Sequence, residues 1–209
     1  MKNSTINFLL AGVGGQGTLL ASDIVAEVGL SVGLDVKKSE VHGMAQRGGA
    51  VTSHVRWGES VASPLCEKGT VDYIIAQEML EALRWLDYLR PAGTVILSTQ
   101  QLPPTSTVFG SDVYPDKAQV LSAVGQIAGK ILLLDALEIA GHLGNRRMAN
   151  SVLLGALSSQ LDVDPHAWLS VIEDKVPPKH KENNRKAFVA GREGKWEILH
   201  APNALNKST

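Results

Sequence analysis

Residues 6–28 read INFLLAGVGGQGTLLASDIVAEV, and the order of features in them decides the fold. Ile6 to Ala11 is a short run, apolar except for Asn7, that stops at Gly12-Val13-Gly14-Gly15-Gln16-Gly17. From Thr18 onward Leu20, Ile24 and Val28 recur at helical spacing. The order is strand, glycine turn, helix. Gly12, Gly14 and Gly17 fit G-x-G-x-x-G, in which missing side chains let backbone amides approach a phosphate at the positive end of the helix. A dinucleotide site also wants an acidic residue at the end of the second strand, about 20 residues on. Glu40 stands near that place, although Lys37 and Lys38 precede it. The same glycines would also serve a tight turn and close helix packing in a ligand-free domain.

Working outward, Val36 to Glu40 is a second extended piece, and Ala50 to Trp57 alternates. Val51, Val55 and Trp57 fall on one side and Thr52, His54 and Arg56 on the other, so one face of that strand reads as polar. Val71 to Ala76 is a buried-type strand leading into a helix over 78–89, and Pro91-Ala92-Gly93 turns the chain into a strand over 94–98. A strand over 107–114, a helix over 116–128 and a strand over 131–134 follow. The remainder reads as helix over 145–161, over 165–174 with Asp164 as cap, and over 180–190. Strands alternating with helices imply a Rossmann-like, three-layer α/β domain with a mainly parallel sheet, helices on both faces and a helical C-terminal part. One domain is expected over residues 1–200, with a small, polar, disordered tail over 201–209.

Composition narrows the function. The chain has 209 residues, 44% of them hydrophobic, and 20 Lys and Arg against 21 Asp and Glu give a formal charge of -1. No global field draws it to nucleic acid or to an anionic membrane. No run of about 18 apolar residues occurs, so a soluble, cytoplasmic protein is expected. Cys66 is the only cysteine, which excludes an iron-sulfur cluster held by this chain alone, because such clusters need about four thiolates. The six histidines lack the spacing of a zinc site. Cys66 reads as an ordinary half-buried thiol, and His54 as a structural side chain with no nucleophile motif beside it.

Residues 42–58, HGMAQRGGAVTSHVRWG, set His42, Gln46 and Arg47 among Gly43, Gly48 and Gly49. The glycines free the backbone, and Arg47 offers a planar donor fork for a carboxylate or phosphate. A loop following a strand of an open parallel sheet gathers at the carboxyl edge, beside the glycine turn. The alternative is a surface loop whose arginine pairs with an acid such as Glu40. Elsewhere, Lys175, Lys179, Lys181, Arg185 and Lys186 read as a solvated helix face. Arg146-Arg147 opens a helix at the end where the dipole disfavours cations, a hint of something negative nearby.

Taken together, Gly12-Val13-Gly14-Gly15-Gln16-Gly17, Glu40 to Gly49, His54-Val55-Arg56, Asn150 to Gly155 and Asn184 to Gly191 resemble the gamma-type domain of the 2-oxoacid:ferredoxin oxidoreductases, nearest its indolepyruvate branch. The likeness runs over residues 5–193. It implies a non-catalytic partner subunit of an enzyme that decarboxylates arylpyruvates oxidatively, passing the acyl group to coenzyme A and electrons to ferredoxin. Thiamine diphosphate, Mg and iron-sulfur clusters would then sit on a larger alpha subunit, with this chain a homodimer alone and half of a two-plus-two complex. Under that resemblance Glu40, His42, Gln46, Arg47, Gly48 and Gly49, with the polar face of the next strand, would close over the partner's thiamine site or hold coenzyme A. Its phosphates suit Arg47, Arg56 and the amides of Gly12, Gly14, Gly15, Gln16 and Gly17. A stand-alone nicotinamide or flavin enzyme, and a Rossmann-like nucleotide- or CoA-binding module without catalysis, remain as alternatives.

Overall fold

A computed structural model of the chain describes residues 5–42, 49–104, 113–194 and 196–200. In chain order its elements are β1 (Ile6–Val13), α1 (Thr18–Ser31), β2 (Asp35–His42), β3 (Ala50–Gly58), β4 (Val71–Ala76), α2 (Met79–Arg84), β5 (Leu89–Ser98), α3 (Lys117–Gly125), β6 (Lys130–Leu134), α4 (Ala136–His142), α5 (Ala149–Ser158), α6 (Pro165–Lys175), α7 (Lys181–Glu193) and β7 (Glu197–His200).

The strands form one sheet in the order β2-β3-β1-β4-β5-β6-β7. β1, β4, β5 and β6 are parallel neighbours, and β3 runs antiparallel to both β1 and β2. β7 closes the far edge antiparallel to β6. Five of the seven strands therefore point the same way, and helices cover both faces. Alternate residues of β1 feed two cores: Phe8 and Leu10 pack with α1, α5, α6 and α7, while Leu9 and Ala11 pack with α2 and α3. All four are fully buried, which is why the first strand reads as a continuous apolar run and not as an alternation.

Several elements differ from their sequence reading for identifiable reasons. The helix expected over 78–89 starts after Glu78, whose side chain caps the Glu81 amide, and stops at Arg84; a 3-10 turn over Leu86–Tyr88 leads directly into β5. β5 then carries Pro91 inside it. Pro91-Ala92-Gly93 lies where the β4–β5 register jumps from Val71↔Leu89 to Tyr73↔Thr94, so the missing proline N–H costs no ladder bond. β7 and α4 are too short for periodicity to announce. The strand expected over 107–114 falls mostly outside the described residues, and Val113 and Tyr114 are not in a strand. The tail over 201–209 lies outside them as well.

The second half of the chain packs through one close helix crossing. Gly155 of α5 faces Gly191 of α7, and a Cβ on either would overlap backbone: the Phe188 carbonyl for Gly155, the Val152 carbonyl for Gly191. Neither neighbour is a flexible side-chain end, so the helices would have to separate. Gly191→Ala is expected to destabilise the fold by about 1–3 kcal/mol, the cost of overpacking a close-packed core. A lowered urea midpoint with an unchanged slope would show it.

Candidate functional site

The carboxyl end of β1 delivers the glycine turn, and a chain of amide side chains clamps it. Val13 N–H donates to Gln16 Oε1 (2.6 Å), which turns Gln16 Nε2 towards the Gln77 carbonyl (3.2 Å) and Gln100 Oε1 (2.9 Å). From the other side Asn150 Nδ2 donates to the carbonyls of Gln16 (2.8 Å) and Gly17 (3.1 Å). Asn150 Oδ1 then accepts from Gln77 Nε2 (2.5 Å), and Gln77 Oε1 accepts from the Thr18 hydroxyl (2.7 Å). Because a backbone N–H fixes one end and two backbone carbonyls fix the other, each amide has a single orientation that satisfies the network. Gly12 lies beneath it, against the side-chain oxygens of Gln77 and Gln16. Gly17 adopts φ 79° and ψ 28° as the residue before α1, a conformation natural to glycine. A Cβ there would stand 2.7 Å from Asn150 Nδ2.

Above this clamp opens a cleft of ≈ 430 Å³ whose lining includes Gly15, Gln16, Gly17, Ser98, Arg146 and Arg147. The arginines arrive from the 3-10 turn Arg146–Met148 ahead of α5, where Asn145 accepts from the Arg147 amide. They share a wall with the glycine turn. Gln77, Gln100 and Ser98 carried no sequence signal, since they are isolated polar residues at strand ends. Asn150 lay inside a family-like stretch with no role attached.

The remaining candidates divide. Gly49 belongs beside the turn, its carbonyl accepting from the Gly14 amide (2.9 Å). The backbone of His42 pairs with Val51, and Gly12 pairs with Val51 from the other side, so both ends of the 43–48 loop reach the carboxyl edge. Gln46, Arg47 and Gly48 themselves lie outside the described residues. Glu40 does not sit as a ribose acceptor would. Its strand is separated from β1 by β3, and its carboxylate pairs with Lys38 (2.6 Å). The dinucleotide fingerprint therefore fails on topology.

Arg56 is also misplaced as a site residue. It pairs with Asn7 at the opposite end of β1, donating to Asn7 Oδ1 (2.9 Å) and to the carbonyls of Ser63 and Leu65. It pins a crossing loop. The polar face expected on β3 is no surface either: Thr52 and His54 are buried, because β3 is an interior strand covered on both sides. His54 Nδ1 accepts from the Cys66 amide (3.3 Å), and its ring meets Tyr88 edge-on. Cys66 is more buried than its sequence suggests, and burial pushes its thiol up to about 11. In the basic stretch of α6 and α7, Lys175 pairs with Glu27, Arg185 with Glu173 and Lys186 with Glu182. Among the described residues no three metal-ligating side chains converge, and no helix is long and apolar enough to cross a membrane. With Cys66 as the only cysteine, the residues present do not fit an iron-sulfur cluster, which takes about four thiolates.

The fold and site define a Rossmann-like α/β protein with a hydrogen-bond-donating cleft at the carboxyl edge of its sheet. Over residues 7–194 the chain matches the pyruvate ferredoxin/flavodoxin oxidoreductase family and belongs to it. It is 36% identical over 92% of its length to the indolepyruvate oxidoreductase subunit IorB of Thermococcus kodakarensis, covering 97% of that protein. The Pyrococcus horikoshii subunit of the same name is 36% identical over 93% of this chain and 98% of its own. Among solved structures, the pyruvate oxidoreductase subunit PORC of Thermotoga maritima superposes with a TM-score of 0.73, covering 95% of this chain and all of that one at 23% identity. That likeness supports the fold.

Two outcomes follow from the buried pair. At pH 8 Cys66 is expected to resist iodoacetamide in the native protein and to react once urea unfolds it, because the buried thiol stays protonated; mass spectrometry of labelled peptides reads this. Burial lowers the pKa of His54. The unfolded chain then takes up a proton that the folded chain refuses, so the stability contributed by the neutral ring is full above about pH 6.5 and falls as pH drops below it. His54→Gln should flatten the urea midpoint between pH 7.5 and 5.5 relative to wild type.

Proposed function

We propose that this chain is the accessory subunit of a complex that oxidatively decarboxylates 2-oxoacids, indolepyruvate or other arylpyruvates, to acyl-CoA with electrons passing to ferredoxin. The observation that carries this reading is the match along nearly all of both chains to subunits named for indolepyruvate oxidoreductase. A larger alpha subunit would hold thiamine diphosphate, Mg and the iron-sulfur clusters. This chain contributes neither a reactive thiol nor a cluster-binding set, and it would be inert alone, a cytoplasmic homodimer that joins the larger subunit two to two. Its part would be to position coenzyme A or close the partner's site through the carboxyl edge, where the 43–48 loop ends beside the glycine turn.

A second reading, a nucleotide- or CoA-binding module without catalysis, draws on the cleft, which needs no partner to exist. Anaerobic affinity purification from the native host separates the two. The accessory reading expects a larger, brown chain to come along and indolepyruvate- and CoA-dependent reduction of a viologen dye; a colourless, solitary chain without activity would sink it. Within the complex, Arg47→Ala is expected to raise KM for coenzyme A by about tenfold, the order of one charge-assisted contact. Unchanged CoA saturation and unchanged assembly would make the loop purely structural.

A further inference from the structure

A separate groove of ≈ 520 Å³ lies where the start of α1, the turn ahead of α5 and the break between α6 and α7 meet. Its apolar lining is Leu20, Met148, Val176 and Pro177. Leu20 is 39% exposed and its neighbour Leu19 36%, so two leucines stand open in the first turn of α1. The far wall, Val176-Pro177, is extended backbone, with Val176 at φ -109° and ψ 147° and Pro177 at φ -55° and ψ 146°. A proline ring fixes φ, so this wall exists before anything binds and loses little freedom when something does. Asn184, at the floor, is spent inside the protein: its Oδ1 accepts from the Ser151 hydroxyl (2.7 Å) and its Nδ2 donates to the His180 carbonyl (2.9 Å). What the groove chiefly offers is apolar contact.

Its rim is positive. Arg147 lines the groove, Lys179 sits in the 3-10 turn Pro178–His180 and Lys181 opens α7. Among the described residues none of the three forms an ion pair. No aspartate or glutamate lines the groove, and Glu182, the acid next to Lys181 in the chain, pairs with Lys186 (3.4 Å). Because the whole chain carries a formal charge of only -1, these cations mark one place and not a general field. The flanking stretches of this chain do not complement them. Residues 1–5 and 201–209 contain Lys2 and Lys207 and no acid. The chain also enters β1 at Ile6 and ends β7 at His200, opposite Lys130 at the start of β6, so both lie at the amino edge of the sheet. The groove lies at the other edge, where α1 begins.

We propose that this groove is the seat of the larger subunit, taking from it an acidic stretch whose apolar side chain enters between Leu20 and Pro177 and whose carboxylates meet Arg147, Lys179 and Lys181. An apolar centre ringed by charge is the anatomy of a specific protein interface: the centre supplies affinity, and the rim supplies orientation and speed of encounter. The inference rests on the accessory-subunit reading and deepens it, since it names the surface that joins the two chains and the chemistry of the segment that it accepts. It needs no ligand in the cleft beside the glycine turn.

Anaerobic titration of the full-length chain against the co-purified larger subunit, at low and at high sodium chloride, tests it. Wild type is expected to bind more weakly as salt rises, since rim charges are screened. A Lys179→Glu/Lys181→Glu double variant is expected to raise Kd by at least about tenfold and to lose much of that salt dependence, as reversed rim charges do. Leu20→Ser should cost about tenfold as well, the order for removing an apolar anchor. Lys117→Glu, at the start of α3 on the opposite face of the sheet, should bind as wild type does, and circular dichroism checks that each variant is folded. A photoreactive phenylalanine analogue in place of Leu19 then identifies the occupant. A cross-link to an Asp- and Glu-rich peptide of the larger subunit supports the seat. A cross-link to a second copy of this chain or to a stretch without acids overturns it, as does wild-type affinity in the double variant. An active complex that the double variant joins at wild-type affinity removes this inference alone, whereas a wild-type chain that binds no larger subunit removes the accessory reading and this inference with it.

Discussion

The carbonyls of Gln16 and Gly17 lie in the turn that joins β1 to α1, and that of Gly17 also accepts the first α1 bond, from the Ala21 amide (3.1 Å). Asn150 Nδ2 donates to both from a helix 133 residues away. A half-buried backbone oxygen such as that of Gln16, left unpaired, costs on the order of 1–3 kcal/mol, so the turn is fully bonded only once α5 has docked. Gln77, at the end of β4, closes the same circuit by bonding Asn150 and Thr18. Three segments distant in sequence thus meet at one turn. The close crossing of Gly155 and Gly191 sets how near α5, which carries Asn150, can lie to α7.

Much of the architecture was legible because its signals are local. The glycine turn, the parallel strands and the cap at Asp164 depend on neighbours within a few residues, and the structure has them where the spacing placed them. β3 was legible as a strand and illegible as a surface. Alternation along Thr52, His54 and Arg56 looks the same whether the polar side faces water or lies beneath another layer. Only the strand order, with β3 between β1 and β2, decides. The same order removes Glu40 from the neighbourhood of β1 and sends Arg56 to the far end of the sheet, because an antiparallel strand carries its later residues away from the turn that its earlier residues flank.

The site was legible in the opposite proportion. The turn announced itself, whereas its supports are single polar residues from β4, β5 and α5, each unremarkable in its own segment. Gln77 and Ser98 acquire meaning from a shared cavity, which sequence spacing does not encode. Arg146 and Arg147 were visible as cations in a place that disfavours them. That conflict between local charge and the helix dipole proved a better pointer to the cleft than the positive charges of α6 and α7, several of which have acidic partners. Family likeness identified the loop over 43–48 as characteristic without saying what it touches.

The clamp beneath the turn also has a chemical character of its own. Its members are carboxamides, a hydroxyl and peptide groups, none of which gains or loses a proton across the range in which proteins remain folded. The geometry presented at the carboxyl edge is therefore indifferent to acidity. Arginine, protonated throughout that range, keeps the cleft's charge constant as well. Any proton-linked behaviour in an assembly containing this chain must enter from outside the clamp. The site is built as a fixed reference, against which other components can change their charge without moving it.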